Sequence, residues 1–357
     1  MTETEKLLIE LCDAFGPSGF EAEIREIFIK NLQDKTEISF DNLGSVLAFH
    51  RGSLEQPKIL LAAHLDEVGL MVRGILPGGQ LKVVPLGGWW APALVAQQML
   101  VRSKKGTFPG VVGAKPPHYL RKEEEGRQLR VEDLYIDIGA SDRSQVEAWG
   151  IQPGDPVVPA VKTKKLDNKM LMGKAFDDRV GCAIIIRLLQ ELEHNHPNLA
   201  IGAGTVQEEV GAKGAQALSN HVLPDVCIVI EGAPADDFPD SGSIIQGKTG
   251  AGPQLRRFDP TMIANQALVD LVINEAQQLN LPYQVAVREG GGTDGSTIQV
   301  QTTGGVPTMV IGVPVRYAHS HHGMINLDDV ENTIKLVKSL IYKLDKDTVR
   351  ELKRNPW

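Results

Sequence analysis

Histidines and carboxylates recur in this 357-residue sequence in short, well-separated stretches. "AAHLDEVG" (62–69) brings His64, Asp66 and Glu67 together, and "FDDR" (176–179) brings Asp177 and Asp178. "VQEE" (206–209) supplies Glu208 and Glu209, "VIEG" (229–232) supplies Glu231, and "AHSHH" (318–322) supplies His319, His321 and His322. Taken singly, each has an ordinary explanation, since acids at element ends are solvated or cap helices. Taken jointly, they read as a metal site. Mixed imidazole and carboxylate without cysteine suits Zn2+, Co2+ or Mn2+, whereas calcium takes only oxygen and structural zinc favours thiolates. Two histidines with three or more carboxylates exceed the needs of one tetrahedral ion. They fit two ions sharing a bridging carboxylate, roughly 3.5–4 Å apart. Such a pair polarises a carbonyl and brings the pKa of bound water toward about 7, and a spare carboxylate must then move the proton. Glu208 and Glu209 are adjacent and so divide the work, one as ligand and one as general base. Asp66, two residues after His64 on an extended strand, shares its face and orients the imidazole.

Open α/β sheets build their sites at the carboxyl ends of strands, and strands are predicted where these residues need them. "KILLAA" precedes His64, "IGAGTV" precedes Gln207, "DVCIVI" precedes Glu231, and "VPTMVIGVPVRYA" precedes His319. Asp177 and Asp178 open the amphipathic helix "DDRVGCAIIIRLLQELEH" (177–194). "SVLAFH" (45–50) and "KILLAAH" (58–64) read as neighbouring strands. Residues 3–33 are helical, broken by the turn "GPSG" (16–19), and the second helix is predicted to start near Ser18 with Glu21 as capping-box partner. "GAKGAQALSN" and "QALVDLVINEAQQLN" (266–280) read as helices, and 328–354 as one closing helix. From Leu70 to Pro159 the texture changes. Short runs such as "LKVVPL", "QMLVRS" and "LYIDIG" alternate with Gly, Pro and charged turns, an all-β signature. The charged "RKEEEGRQLR" (121–130) reads as a mobile loop. The predicted architecture is an α/β three-layer sandwich with helices on both faces of a central, mostly parallel sheet, formed by 1–69 and 161–357 and interrupted by a β-rich insertion at 70–160.

Composition narrows the function classes. Hydrophobic residues are 42% and charged residues 23%, as in soluble globular proteins. A formal net charge of −8 gives no basic footprint for nucleic acid. No apolar run reaches the roughly 18 residues of a membrane span. "MTETEKLLIELC" lacks the basic start and apolar core of a signal peptide. Cys12, Cys182 and Cys227 lie far apart in apolar segments, as buried core residues of a reducing compartment do. The expectation is a cytoplasmic protein.

"HLDEVG", "KAFDDRVG", "TVQEEVGAKGA", "GGGTDG" (290–295) and "VPVRYAHS" occur in this order. With them the sequence resembles, nearly end to end, the dinuclear-metal aminopeptidases of the glutamyl (PepA) and tetrahedral (TET) group, metallopeptidase family forty-two. "GGWWAP" and "GIQPGD" in the insertion are also similar. The resemblance implies a zinc-peptidase-like fold and a metallo-aminopeptidase with two divalent ions per subunit, zinc or cobalt. It implies release of N-terminal residues, acidic ones if PepA-like, from short peptides. His64, Asp177 and Glu231 would hold one ion, and Asp177, Glu209 and His319 the other, with Asp177 bridging. Glu208 would be the general base and acid, and Asp66 the partner of His64. Relatives accept Asp or Asn at the position of Asp178, and Glu231 stands where many have Asp. The match points to His319 within "HSHH", leaving His321 and His322 to face solvent. The "GGGTDG" loop is neither a Walker loop nor a dinucleotide fingerprint. In relatives it lies beside the active site, so Thr293 and Asp294 are implied substrate contacts. The insertion is implied to be PDZ-like and to serve dimerisation, with dimers building a tetrahedral dodecamer.

Other classes compete. A metal-dependent amidohydrolase acting on N-acylated amino acids would use the same centre on a blocked amine. A glycoside hydrolase would use paired acids, but aromatic residues are only 5%, a thin supply for sugar stacking, and the histidines would be idle. A non-catalytic metal-binding protein would have no need of the base. The cation for an acidic N-terminal side chain is left open between Arg288, Arg316 and Lys248.

Overall fold

The computed structural model describes residues 1–119, 126, 128–239, 242, 244–300 and 304–354. Its centre is a nine-stranded sheet. The strand order is Glu37–Phe40, Val46–Arg51, Leu199–Thr205, Lys58–His64, Val226–Pro234, Thr308–Val315, Gln254–Asp259 and Met262–Ile263, with Gln284–Val287 also paired to Gln254–Asp259. The four strands from Leu199–Thr205 to Thr308–Val315 pair in parallel. They are buried almost throughout, which is why they read as continuous apolar runs. Most of the marginal pairings are antiparallel, so the sheet is mixed and not mostly parallel. Val46–Arg51 and Lys58–His64 are not neighbours either. The Leu199–Thr205 strand, apolar on both faces, takes the slot between them.

The helix that carries the aspartate pair, Phe176–Glu191, packs on Lys58–His64 and Val226–Pro234 and against Glu3–Asp13, Ala22–Leu32 and Leu327–Lys343. It is buried on nearly every side and not amphipathic in its setting. Gly202 permits this approach, because a Cβ there would lie 2.6 Å from Ile185 and from Leu189. The second helix starts at Ala22, and Glu21 makes no capping bond to it. The capping box belongs instead to the first helix, between Thr2 and Glu5. The closing helix is two, Leu327–Lys343 and Lys346–Arg354, because Asp345 Oδ1 accepts the Thr348 amide at 2.8 Å and begins a new helix.

Between Gly69 and Pro159, six strands close a barrel in the order Gly69–Ile75, Leu81–Leu86, Tyr135–Asp137, Gly106–Gly113, Gln98–Ser103 and Pro156–Pro159. Closure leaves no free edge. The barrel has its own core, including Leu70, Val83, Met99 and Ile136. The charged 121–130 stretch, predicted as a mobile loop, lies outside the described residues except for Gly126 and 128–130. Cys12, Cys182 and Cys227 are free and buried. Among the described residues, no helix is long and apolar enough to cross a membrane.

Candidate metal centre

His64 closes its strand opposite Thr205. Its Nδ1 lies 3.0 Å from the Asp66 carbonyl, and donation there leaves Nε2 with a free lone pair. That Nε2 faces Asp177 Oδ1 at 3.1 Å and Glu231 Oε1 at 3.4 Å. His319 repeats the arrangement in a left-handed conformation (φ 57°) beyond the Thr308–Val315 strand. Its Nδ1 donates to the Gly88 carbonyl at 2.9 Å, and its Nε2 lies 3.2 Å from both Asp177 Oδ2 and Glu209 Oε1. Asp177 thus turns one oxygen to each histidine. Candidate ligand atoms of His64, Asp177 and Glu231 fall within 4.8 Å of one another, as do those of Asp177, Glu209 and His319. Asp178 faces elsewhere and accepts the amides of His64 (3.1 Å) and Gly181 (3.0 Å).

Two details differ from the sequence reading. Glu231 sits inside its strand, which runs on to Pro234. The next residue is Gly232, where a Cβ would lie 2.7 Å from the Asp177 Cα, so glycine lets the Asp177 backbone lie against the strand. Asp66 lies beyond the strand end, and it holds His64 chiefly through its backbone carbonyl. Its carboxylate, 3.5 Å from His64 Nδ1, accepts the amides of Glu208 (3.0 Å) and Glu209 (3.1 Å) and the Ser18 hydroxyl (2.6 Å).

Crowding sets the electrostatics. Burial pushes Glu208 well above the usual carboxylate range, and Glu231, Asp294 and Glu209 add to the rise while His64 offsets part of it. Burial likewise brings Glu231 up to about 7. Burial alone would lower His319, but its hydrogen bonds to Asp177 and Glu209 carry it up to about 11. Burial would raise Asp177, yet the two imidazoles hold it far below normal. Such a cluster is a sink for positive charge, protons and divalent ions alike. Glu231 Oε2 is buried with no hydrogen-bond partner among the described residues, and buried Glu209 Oε1 has only the His319 imidazole beside it. Hard oxygens left this way, with two presented imidazole nitrogens, are a donor set that a divalent transition ion satisfies.

The sequence profile of the M42 glutamyl aminopeptidases matches residues 44–336. This chain belongs to that family. It is a metal-dependent aminopeptidase, a hydrolase acting on peptide bonds. It is 37% identical over 348 residues to the putative aminopeptidase FrvX of Escherichia coli K12, with 96% of each chain covered. It is 33% identical over 351 residues to the glutamyl aminopeptidase of Lactococcus lactis subsp. cremoris, covering 96% of this chain and 97% of that one. Identity to the lysyl aminopeptidase of Pyrococcus furiosus is also 33%, over 343 residues, covering 95% and 97%. Among solved structures, the TET aminopeptidase of Thaumarchaeota archaeon SCGC AB-539-E09 matches with a TM-score of 0.94 and 41% identity, covering 98% of this chain and 99% of that one. The Pyrococcus horikoshii TET1 peptidase, which can assemble into a tetrahedron or a large octahedral shell, matches with a TM-score of 0.85 and 31% identity, covering 96% and 100%.

In this aminopeptidase a cavity of about 430 Å³ opens onto the centre, lined by Asp177, Glu208, Glu209, Glu231 and His319 and also by Arg256, Arg288 and Thr293. Asp294 is not in its wall. It is 1% exposed, receives the Thr205 hydroxyl, and is pushed up to about 6 by burial. Of the three candidate cations, only Arg288 lines the cavity. Arg316 is held by Asp237 at 2.8 and 2.6 Å, and Lys248 is exposed elsewhere. His321 does not face solvent as predicted: it is 3% exposed, with Nε2 3.1 Å from Met99 Sδ of the barrel and its ring against Trp89. His322 is exposed. The sequence reading missed Arg256 in the cavity wall, the Ser18 hydroxyl and the Gly88 carbonyl. "GGWWAP" contains Gly88, but a backbone oxygen carries no residue-type signal.

Proposed function

We propose that the aminopeptidase binds two divalent ions, zinc or cobalt, one at His64, Asp177 and Glu231 and one at Asp177, Glu209 and His319, and that it removes acidic residues from the N-termini of short peptides. The observation that carries this reading is Asp177, whose two oxygens face two separate histidine–carboxylate groups. When bound, such a pair supplies Lewis-acid polarisation of the scissile carbonyl and acidifies water. Glu208 belongs to neither ligand group and lines the same cavity. It takes the proton of the attacking water and returns it to the leaving amine. Its buried setting strengthens its hold on a proton, as a group that must carry one mid-reaction requires. Asp66 fixes His64 and the Glu208–Glu209 turn together. Arg288, in the same cavity wall as Arg256, receives the acidic side chain. Thr293, in the cavity wall, contacts the substrate, and Asp294 next to it accepts the Thr205 hydroxyl.

Residues 1–69 and 161–357 form the catalytic unit, a three-layer sandwich, and 70–160 a PDZ-like unit that serves dimerisation. The separate barrel core favours this division. The likeness to the P. horikoshii TET1 peptidase favours a tetrahedral dodecamer of such dimers, working in the cytoplasm on short peptides. The test is hydrolysis of unblocked aminoacyl anilides, Glu and Asp among them, by chelator-stripped protein with zinc or cobalt restored, beside N-acetylated controls. Metal-dependent cleavage of the free-amine set, best on Glu and Asp, is the expected result. Cleavage of the acetylated set alone overturns it in favour of a deacylase.

A further inference from the structure

Residues 18–21 and 207–209 are far apart in the chain and meet beside the metal centre. The backbone amides of Gln207, Glu208 and Glu209 are consecutive, and each ends on a carboxylate from a distant segment. Gln207 N donates to Glu21 Oε1 at 3.1 Å, Glu208 N to Asp66 Oδ1 at 3.0 Å, and Glu209 N to Asp66 Oδ2 at 3.1 Å. Ser18 completes the arrangement by donating its hydroxyl to Asp66 Oδ2 at 2.6 Å. Ser18 is 5% exposed and Glu21 7% exposed, so water does not compete freely for these bonds. The turn they hold is not self-sufficient. Gln207 has φ 57°, a left-handed conformation that residues with a side chain adopt rarely.

The anchoring turn is itself fixed from behind. The Glu67 amide donates to the Gly16 carbonyl at 3.0 Å, and Arg179 Nη2 donates to the same carbonyl at 2.9 Å. Ser18 makes no bond to the following helix, and Glu21, at the helix N-cap, accepts the Gly19 amide instead of capping. Glu21 Oε1 is therefore shared between the Gly19 and Gln207 amides, and the Ser18 hydroxyl is directed at Asp66, so neither side chain caps the helix.

We propose that Ser18 and Glu21 are positioning residues for hydrolysis. They clamp Gln207–Glu209 in the one conformation that turns the adjacent Glu208 and Glu209 side chains to different tasks. The proposal rests on the roles proposed above for Glu208 and Glu209. Neither Ser18 nor Glu21 belongs to a ligand group: Glu21 acts on the turn directly, and Ser18 acts through Asp66, which also holds His64.

The experiment compares wild type, Ser18→Ala, Glu21→Ala, Glu21→Gln and Glu208→Gln, each fully loaded with zinc or cobalt, on the best aminoacyl anilide. Ser18→Ala and Glu21→Ala are expected to lower kcat by up to about 100-fold, the scale of a 1 Å misplacement, with KM little changed. Glu21→Gln keeps an acceptor oxygen and is expected to recover most of the loss. Amide hydrogen exchange over 206–212 is expected to quicken in both alanine variants while metal content and melting temperature stay near wild type. Wild-type kcat and wild-type exchange in Ser18→Ala and Glu21→Ala overturn the clamp. So does a loss of kcat that merely tracks lost metal or lost stability. If Ser18→Ala does not fold, the Glu21→Ala and Glu21→Gln pair decides by the same criteria. Turnover surviving in Glu208→Gln overturns the role assigned to Glu208, whereas an inactive Glu208→Gln beside a normal Ser18→Ala and Glu21→Ala overturns the clamp alone.

Discussion

Arg256, in the wall of the cavity at the candidate metal centre, forms a buried ion pair with Asp259, Nη1 to Oδ2 at 3.1 Å. Asp259 offsets much of the Arg256 charge and keeps its guanidinium in place. Arg288, in the same wall, donates to the uncharged Pro234 carbonyl at 2.8 Å and forms no ion pair among the described residues. The acidic preference proposed above would draw on Arg288. Arg288→Ala is predicted to lower kcat/KM on a glutamyl anilide by about 10- to 100-fold, or about 1.4–2.7 kcal/mol, and to leave alanyl and leucyl anilides nearly unchanged. Arg288→Glu is predicted to move the preference toward lysyl anilide. An unchanged ranking across the panel would remove Arg288 from substrate recognition.

Glu208 and Asp177 differ in what their loss should do. Glu208→Gln keeps shape and removes the proton acceptor, so kcat should fall by about 100- to 10,000-fold with both ions retained. Asp177→Asn weakens the one carboxylate shared by the two ligand groups, so the content of both ions should fall together. Elemental analysis of the two purified variants separates the roles. Loss of both ions from Glu208→Gln would make Glu208 a ligand.

Glu67 lies between two buried cations, its Oε1 2.6 Å from Lys174 Nζ and 3.4 Å from Arg179 Nη2. Removing its charge leaves both cations uncompensated in the interior. Glu67→Gln is predicted to destabilise the fold by about 3–5 kcal/mol. Adding Lys174→Met to Glu67→Gln should cost less than the sum of the two single changes, because the partners fail together. Denaturant unfolding of the four proteins reads both quantities. Additive losses would show that the pair is not coupled.

What was legible in the sequence had a residue-type reason. Metal ligands must be His or carboxylate whatever the fold, so the stretches holding His64, Asp177, Asp178, Glu208, Glu209, Glu231 and His319 stood out by residue type, while the choice of five proposed ligands among them came from the resemblance to the aminopeptidases. Strands buried on both faces must be continuously apolar, which exposed Lys58–His64 and Thr308–Val315. Strand order has no such local mark: Leu199–Thr205 enters between Val46–Arg51 and Lys58–His64 through a distant crossover. Small residues blur ends, and Gly232 and Ala233 let a strand pass Glu231 without a break. Ser18 and Glu21 are ordinary capping types used for another purpose. His321 has a polar type, but Met99 and Trp89 of the inserted region enclose it.

His50 and His196 lie toward the opposite end of the sheet from His64, where Leu199 pairs with Arg51 and Lys58. His50 Nδ1 is 3.0 Å from His196 Nε2, and His196 Nδ1 is 2.8 Å from Asn198 Oδ1. Asn198 Nδ2 already donates to the Ile341 and Leu344 carbonyls at 2.6 and 3.0 Å, so Oδ1 must accept. His196 therefore carries its proton on Nδ1, and its Nε2 accepts from His50. Burial, then repulsion from His194 and His196, brings His50 down to about 4, and burial lowers His196 as well. In the unfolded chain both rings titrate near about 6.5. As pH falls below that value, the unfolded state takes up protons first, so the stability present above about 6.5 is lost progressively toward about 4. His50→Gln lacks this titration. Whatever stability it forfeits at about pH 7 should therefore shrink by about pH 5, and melting temperatures of metal-free wild type and variant should converge over that interval. A constant gap between the two curves would mean that His50 is not held neutral in the folded protein.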